Sequence, residues 1–243
     1  MMRFNLNKAI ALMALFFCTK ALAQTDDLGS WTIFSAKKNF NAKWYGFAET
    51  QFRSQKMYST FYYNEYKGGV GYNISKDVNV LVAMGHYVTY QSDGEFKLPV
   101  ATDEVRTWQQ LTVVSKVIHR VSLEHRYRTE QRWINGVYRN RFRYRANAII
   151  PINHSTVTTK TWYASVYDEV FFTNEDPYFE RNRFLAGIGY EFTKALTIQT
   201  SWIRQFDYHN TSASVAKNFL QASLMLTFGA TRERRERHPT TED

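Results

Sequence analysis

Between residues 122 and 145 the chain alternates at period two. Arg126, Arg128 and Arg132 share one face of the first half, and Arg139, Arg141, Arg143 and Arg145 share one face of the second. His125, Tyr127, Trp133, Tyr138, Phe142, Tyr144 and Ala146 fill the opposite face. Strict alternation is the period of a β-strand with one polar and one apolar side. The same pattern recurs along the chain, broken by turn-forming residues. It predicts strands near 30–37, 43–55, 61–74, 78–90, 104–117, 120–133, 138–150, 159–172, 181–193, 196–208 and 217–228. Most are far longer than the ~5–6 residues of globular strands. They match the ~9–11 residues, plus ends, that a tilted strand needs to cross a bilayer.

The connections alternate in length. Ser75-Lys76-Asp77, Lys116–Arg120 and Thr193-Lys194-Ala195 are tight, whereas 91–103, 173–180 and 209–216 are longer and polar. Short turns on one side and long loops on the other are the habit of outer-membrane barrels, periplasmic and extracellular respectively. The segment 151–158 is a longer connection on the short side. Single-chain bacterial barrels use even strand numbers. The first segment is short and would run the wrong way for a chain starting in the periplasm. The expected fold is therefore an all-β, antiparallel transmembrane barrel of about ten strands from residue 43 onward, with 30–37 in the lumen or bent. A twelve-strand wall is the alternative.

The direction of the arginines separates a membrane barrel from a soluble, lipocalin-like one. The uncharged faces carry small and aromatic residues such as Phe184, Ala186, Ile188, Tyr190 and Phe192, not a packed aliphatic core. The last strand ends on Phe228 with Leu220, Leu224 and Leu226 in register, like the signal read by the barrel-assembly machinery. An arginine facing lipid at the midplane costs roughly 2–4 kcal/mol, so four on one strand must face the lumen.

Composition agrees. Mean hydropathy is −0.46 although 16% of residues are aromatic, as expected where only alternate residues meet lipid and tyrosines form interfacial girdles. Residues 1–23 read as a signal peptide: Arg3 and Lys8, a short apolar run, then Ala21-Leu22-Ala23 before Gln24. A lipoprotein role for Cys18 is disfavoured by the bulky Leu-Phe-Phe before it. Residues 24–228 form the barrel, and 229–243 a charged, disordered periplasmic tail. Of the formal +9 charge, three units sit in the leader and none net in the tail, while 122–145 alone carries seven arginines against Glu124 and Glu130.

The segment LEHRYRTEQRW, the Trp-Gln-Gln at Trp108–Gln110, Glu169 and RNRFLAGIGY at 181–190 together resemble the bacterial domain-of-unknown-function 2490 family, common in Bacteroidota. The resemblance covers most of the mature chain, the charged tail excepted. It implies an outer-membrane, barrel-like fold and supplies no activity or catalytic residues.

The polar face would gather a lumen charge network of Glu49, Arg53, Glu65, Arg106, Glu124, Arg126, Arg128, Glu130, Arg132, Arg139, Arg141, Arg143, Arg145, Glu169, Arg183 and Glu191. Cross-strand pairing would make it structural. Arginines left over would favour small anions, as a narrow pore or as a site for an acidic ligand such as phosphate or a sugar acid. The expected partners are outer-membrane lipid, the assembly machinery and small anions; nucleic acid, cofactors and metals are not expected. An enzyme is the alternative. Asp207 and His209 share a register near the outer rim, like the Asp-x-His of omptin-type proteases, but Asp93, Glu95, Asp103 and Glu104 fall in a loop rather than a facing acid pair. Ser122 and His125 lie in opposite registers, and His86, His119 and His154 show no metal spacing.

Overall fold

The computed structural model describes residues 28–91, 95–118, 120–209, 214–229 and 240–242. The expected leader, residues 1–23, lies outside them. Eleven strands form one closed barrel: β1 (Leu28–Asn39), β2 (Trp44–Lys56), β3 (Ser59–Asn73), β4 (Val78–Tyr90), β5 (Val100–Ile118), β6 (Val121–Ile134), β7 (Val137–Pro151), β8 (Thr161–Thr173), β9 (Phe179–Glu191), β10 (Leu196–Asp207) and β11 (Val215–Phe228).

Consecutive strands pair antiparallel, while β1 and β11 pair parallel from Leu28↔Asn218 to Lys38↔Phe228. Parallel closure follows from the odd number, because the first and last strands then point the same way. The segment near 30–37, expected in the lumen or bent, is thus a wall strand. It satisfies the backbone of both neighbours and removes the two edges that an open ten-strand sheet would leave. Leu28 begins at the long-loop end and Phe228 finishes at the short-turn end.

The wall is polar inside and apolar outside. Arg126, Arg141 and Arg145 are each 2% exposed, whereas their outward neighbours Tyr127 and Phe142 are 49% exposed. The outward polar groups bond to one another: Gln109 and Gln131 exchange bonds with Thr129 and Thr107 across β5–β6, and His86 meets Asp103 at 2.7 Å.

Not all inward residues are charged. Trp31, Ile33, Tyr167, Leu185, Ile203 and Phe219 form one buried cluster, and Tyr45, Phe47, Tyr63, Leu81, Ala83, Tyr87 and Trp108 another. Near the short-turn end Val157, from the loop joining β7 to β8, packs with Ile149 and Tyr163. Tyr45 and Tyr163 lie over the glycines opposite them, Gly71 and Gly189. A side chain at either glycine would overlap the ring, so the missing Cβ makes room for each tyrosine.

Of the tail, expected to be disordered outside the barrel, Gly229 and Thr240–Glu242 are described. Thr240–Glu242 lies within the lumen, bonded to Glu49, Gln110, Glu124, Arg126 and Arg128. The cause is electrostatic: an acidic side chain and free peptide carbonyls meet arginine donors from β6.

Candidate functional site: an arginine chamber in the lumen

The hairpin β6–β7 sets the site. Asn135 and Gly136 both have positive φ, 48° and 84°, the conformation of the two-residue turn that matches strand twist. This turn fixes the register, so Glu130 faces Arg141 while Arg126, Arg128 and Arg132 face Arg145, Arg143 and Arg139. Three like-charged pairs side by side would be destabilising on their own. Acids from other strands resolve them.

Glu130 binds Arg141 at 2.6 Å and Arg143 at 2.9 Å, with Arg128 at 3.6 Å. Glu169 on β8 binds Arg126 at 2.7 Å and Arg143 at 2.9 Å, with Arg183 at 3.7 Å. Glu104 holds Arg106 and Arg132, both at 2.5 Å. Glu180 adds contacts to Arg132 and Arg141, and Glu124 takes Arg145 at 2.9 Å. A second chain runs along β2–β3, where Lys67 bridges Glu49 at 2.8 Å and Glu65 at 2.7 Å, and Glu65 reaches Arg53 at 3.3 Å. All seven arginines of the hairpin have an acidic partner.

Aromatic faces carry further positive charge. The guanidinium carbons of Arg143, Arg183, Arg141 and Arg181 lie 4.5, 5.1, 5.3 and 5.7 Å from the ring centre of Phe171. Arg53 sits between Trp31 at 3.5 Å and Tyr63 at 4.2 Å. Each such contact gives a desolvated cation an electrostatic partner without an acid.

These side chains surround a cavity of about 360 Å³ at the long-loop end. Its lining includes Arg53, Arg106, Arg132, Arg141, Arg143, Arg181, Arg183 and Lys217, against only Glu104 and Asp207. Glu65, Glu130 and Glu169 pair with several of these arginines without lining the cavity. Tyr62, Tyr63 and Phe171 complete the wall.

The structure gathers most of the residues expected in the lumen. Glu49, Arg53, Glu65, Glu124, Arg126, Arg128, Glu130, Arg132, Arg141, Arg143, Arg145, Glu169, Arg183 and Glu191 are buried, and Arg106 nearly so. Arg139 sits at the rim, 43% exposed, paired with Glu175. Glu191 lies at the short-turn end of β9, apart from the arginine hairpin. Asp207 turns inward to Arg181 and Gln205, while His209 is exposed at the rim.

Two acids of the network stand outside the lumen set expected from the sequence. Glu104 opens the strand expected at 104–117 and lies two residues from Arg106, so the alternation puts it on the same face. Glu180 left no such signal. It lies where the β8–β9 register shifts between Phe171↔Arg181 and Phe172↔Phe179, and the extra residue of a bulge re-aims a side chain that alternation would misplace.

Neither a curated protein nor a solved structure matches the chain. A family described as protein of unknown function (DUF2490) matches residues 28–216, from the start of β1 to the start of β11. Most of the chain lies within that match, and the protein belongs to the DUF2490 family.

Proposed function

We propose that the protein is an exported outer-membrane barrel that binds small acidic ligands, of the phosphate or sugar-acid class, in the arginine chamber at its long-loop end. The observation that carries this reading is the lining itself, eight cations against two acids in a cavity of about 360 Å³. That volume falls in the range of small-molecule sites. Arginine's planar fork suits carboxylates and phosphates, and the aromatic wall suits the apolar face of a sugar ring. Residence in a bilayer is supported by the inside-out polarity of the wall and by the self-paired outward glutamines. The leader-like start, residues 1–23, agrees with export and with insertion by the barrel-assembly machinery. The crowding of the lumen by ion pairs and aromatic clusters favours a binding chamber over an open anion pore.

The test is calorimetric titration of the refolded mature chain in micelles with inorganic phosphate, glucuronate and glucose. Phosphate or glucuronate should bind, more weakly as salt rises, and glucose should not. Replacing Arg181 and Lys217 together by glutamine should weaken acid binding about tenfold, ~1.4 kcal/mol. Equal binding of glucose, or no binding of either acid, would sink the chamber as an anion site. Unitary current steps in a planar bilayer would replace the closed chamber with a pore. Recovery of the mature chain in the soluble periplasmic fraction would remove the membrane.

A further inference from the structure

Below the chamber, the lumen holds a piece of the chain's own tail. Arg128 Nη2 donates to the Glu242 carbonyl at 2.6 Å, and Arg126 Nη1 to the Thr241 carbonyl at 3.4 Å. Gln110 Nε2 donates to the Glu242 carboxylate at 3.0 Å. In the opposite sense, the Glu242 N–H donates to Glu49 at 3.0 Å and the Thr240 hydroxyl to Glu124 at 3.3 Å. Three strands, β2, β5 and β6, thus read both backbone and side chain of a three-residue stretch.

We infer that Thr240–Glu242 is a plug, the tail's acidic end docked in a peptide cradle of Glu49, Gln110, Glu124, Arg126 and Arg128 that closes the lumen beneath the chamber. Donors and acceptors are matched in sense: arginines and glutamine meet carbonyls and a carboxylate, while the two glutamates accept from an N–H and a hydroxyl. Such two-way pairing distinguishes a fitted peptide from a chain end merely attracted by charge. Thr240 and Thr241 share with Arg145, Ser165, Tyr167 and Gln199 the lining of a small cavity of about 10 Å³, about one water. Reach is no obstacle, since ten residues separate Gly229 from Thr240 and can span roughly 35 Å when extended. Burial would raise the Glu242 carboxyl, but Arg128, Arg126 and Lys37 outweigh it and hold it below the usual glutamate range.

The cradle also touches the chamber. Arg128, which holds Glu242, lies 3.6 Å from Glu130, and Glu130 pairs with Arg141 and Arg143 of the chamber lining. The plug is thus linked to the chamber lining through Arg128 and Glu130, and the tail segment it uses lies beyond the family match, which ends at residue 216.

The test needs no change in the barrel wall. Residues 24–243 contain no cysteine, so a single one can be introduced as Thr241→Cys, with Ser75→Cys in an exposed turn as the reference. Maleimide labelling of the folded full-length mature protein should be about 100-fold slower at 241 than at 75, as for a group reached only by local opening. Adding Glu242→Lys, which sets a cation against Arg126, Arg128 and Lys37, should bring the rate at 241 close to the reference. Equal rates at 241 and 75 without that change would overturn the plug. Undiminished protection with Glu242→Lys would overturn the arginine-held cradle. Neither outcome depends on whether the chamber binds an anion.

Discussion

Glu130 and Arg143 meet at 2.9 Å inside the barrel, with side chains 1% and 3% exposed. Glu130 also binds Arg141 and approaches Arg128, so one carboxylate serves three cations. Such a group matters chiefly through what its loss would leave behind. Isolated buried charges are costly, and removing one partner of a buried pair is far more damaging than the pair's own net contribution suggests.

Glu130→Gln is therefore expected to destabilise the folded barrel by about 3–5 kcal/mol. Arg139→Gln, at the exposed rim opposite Glu175, should cost less than about 1 kcal/mol. Urea midpoints read by tryptophan fluorescence in micelles compare the two. Similar shifts for both variants would mean that the lumen is wet enough to screen its ion pairs.

Gly71→Ala and Gly136→Ala separate two uses of glycine. At Gly136 a Cβ would meet no atom within 4 Å, so the expected cost is that of the positive φ alone, about 1 kcal/mol. At Gly71 a Cβ would fall within the Tyr45 ring, which Asn79 and Lys37 hold in place. Overpacking there should cost about 1–3 kcal/mol. Tyr45→Ala should relieve part of that cost, so the double variant would be less destabilised than the two singles summed. Strict additivity would show that tyrosine and glycine do not share the space.

How far these features are legible in sequence depends on their range. Alternation is local, so the direction of Arg126, Arg141 and Glu169, and the outward Leu220, Leu224 and Leu226, could be read residue by residue. Closure is not local. Nothing within 30–37 reveals that Trp31 will pair with Gln221 almost the whole chain away, and a rule of even strand numbers pointed elsewhere. The aromatic filling is not legible from Trp31, Tyr45 and Trp108 themselves, because an aromatic ring fits either face of a wall strand. Their place depends on register with the charged positions, not on their own chemistry. Glu180 escaped through a bulge, and Glu242 because its partners lie far away in sequence.

Docking of the tail should weaken in acid. Its carboxylate is approached by Arg128, Arg126 and Lys37 and by Gln110, while Glu49 and Glu124 bind the neighbouring backbone and hydroxyl. Because the docked Glu242 is held below the ordinary glutamate value, its ionised form is the one the cradle favours. The charge contribution is complete above that ordinary value and is lost as the pH falls through the lower, docked value. A spin label attached at Thr241→Cys before refolding should be immobile at neutral pH and become mobile in this acidic window. Glu49 and Glu124 also bond to the docked tail, so the control is Glu242→Gln. It should flatten the pH response by removing the group whose ionisation drives docking. A response of the same size in the Glu242→Gln protein would show that ionisation of Glu242 does not drive docking.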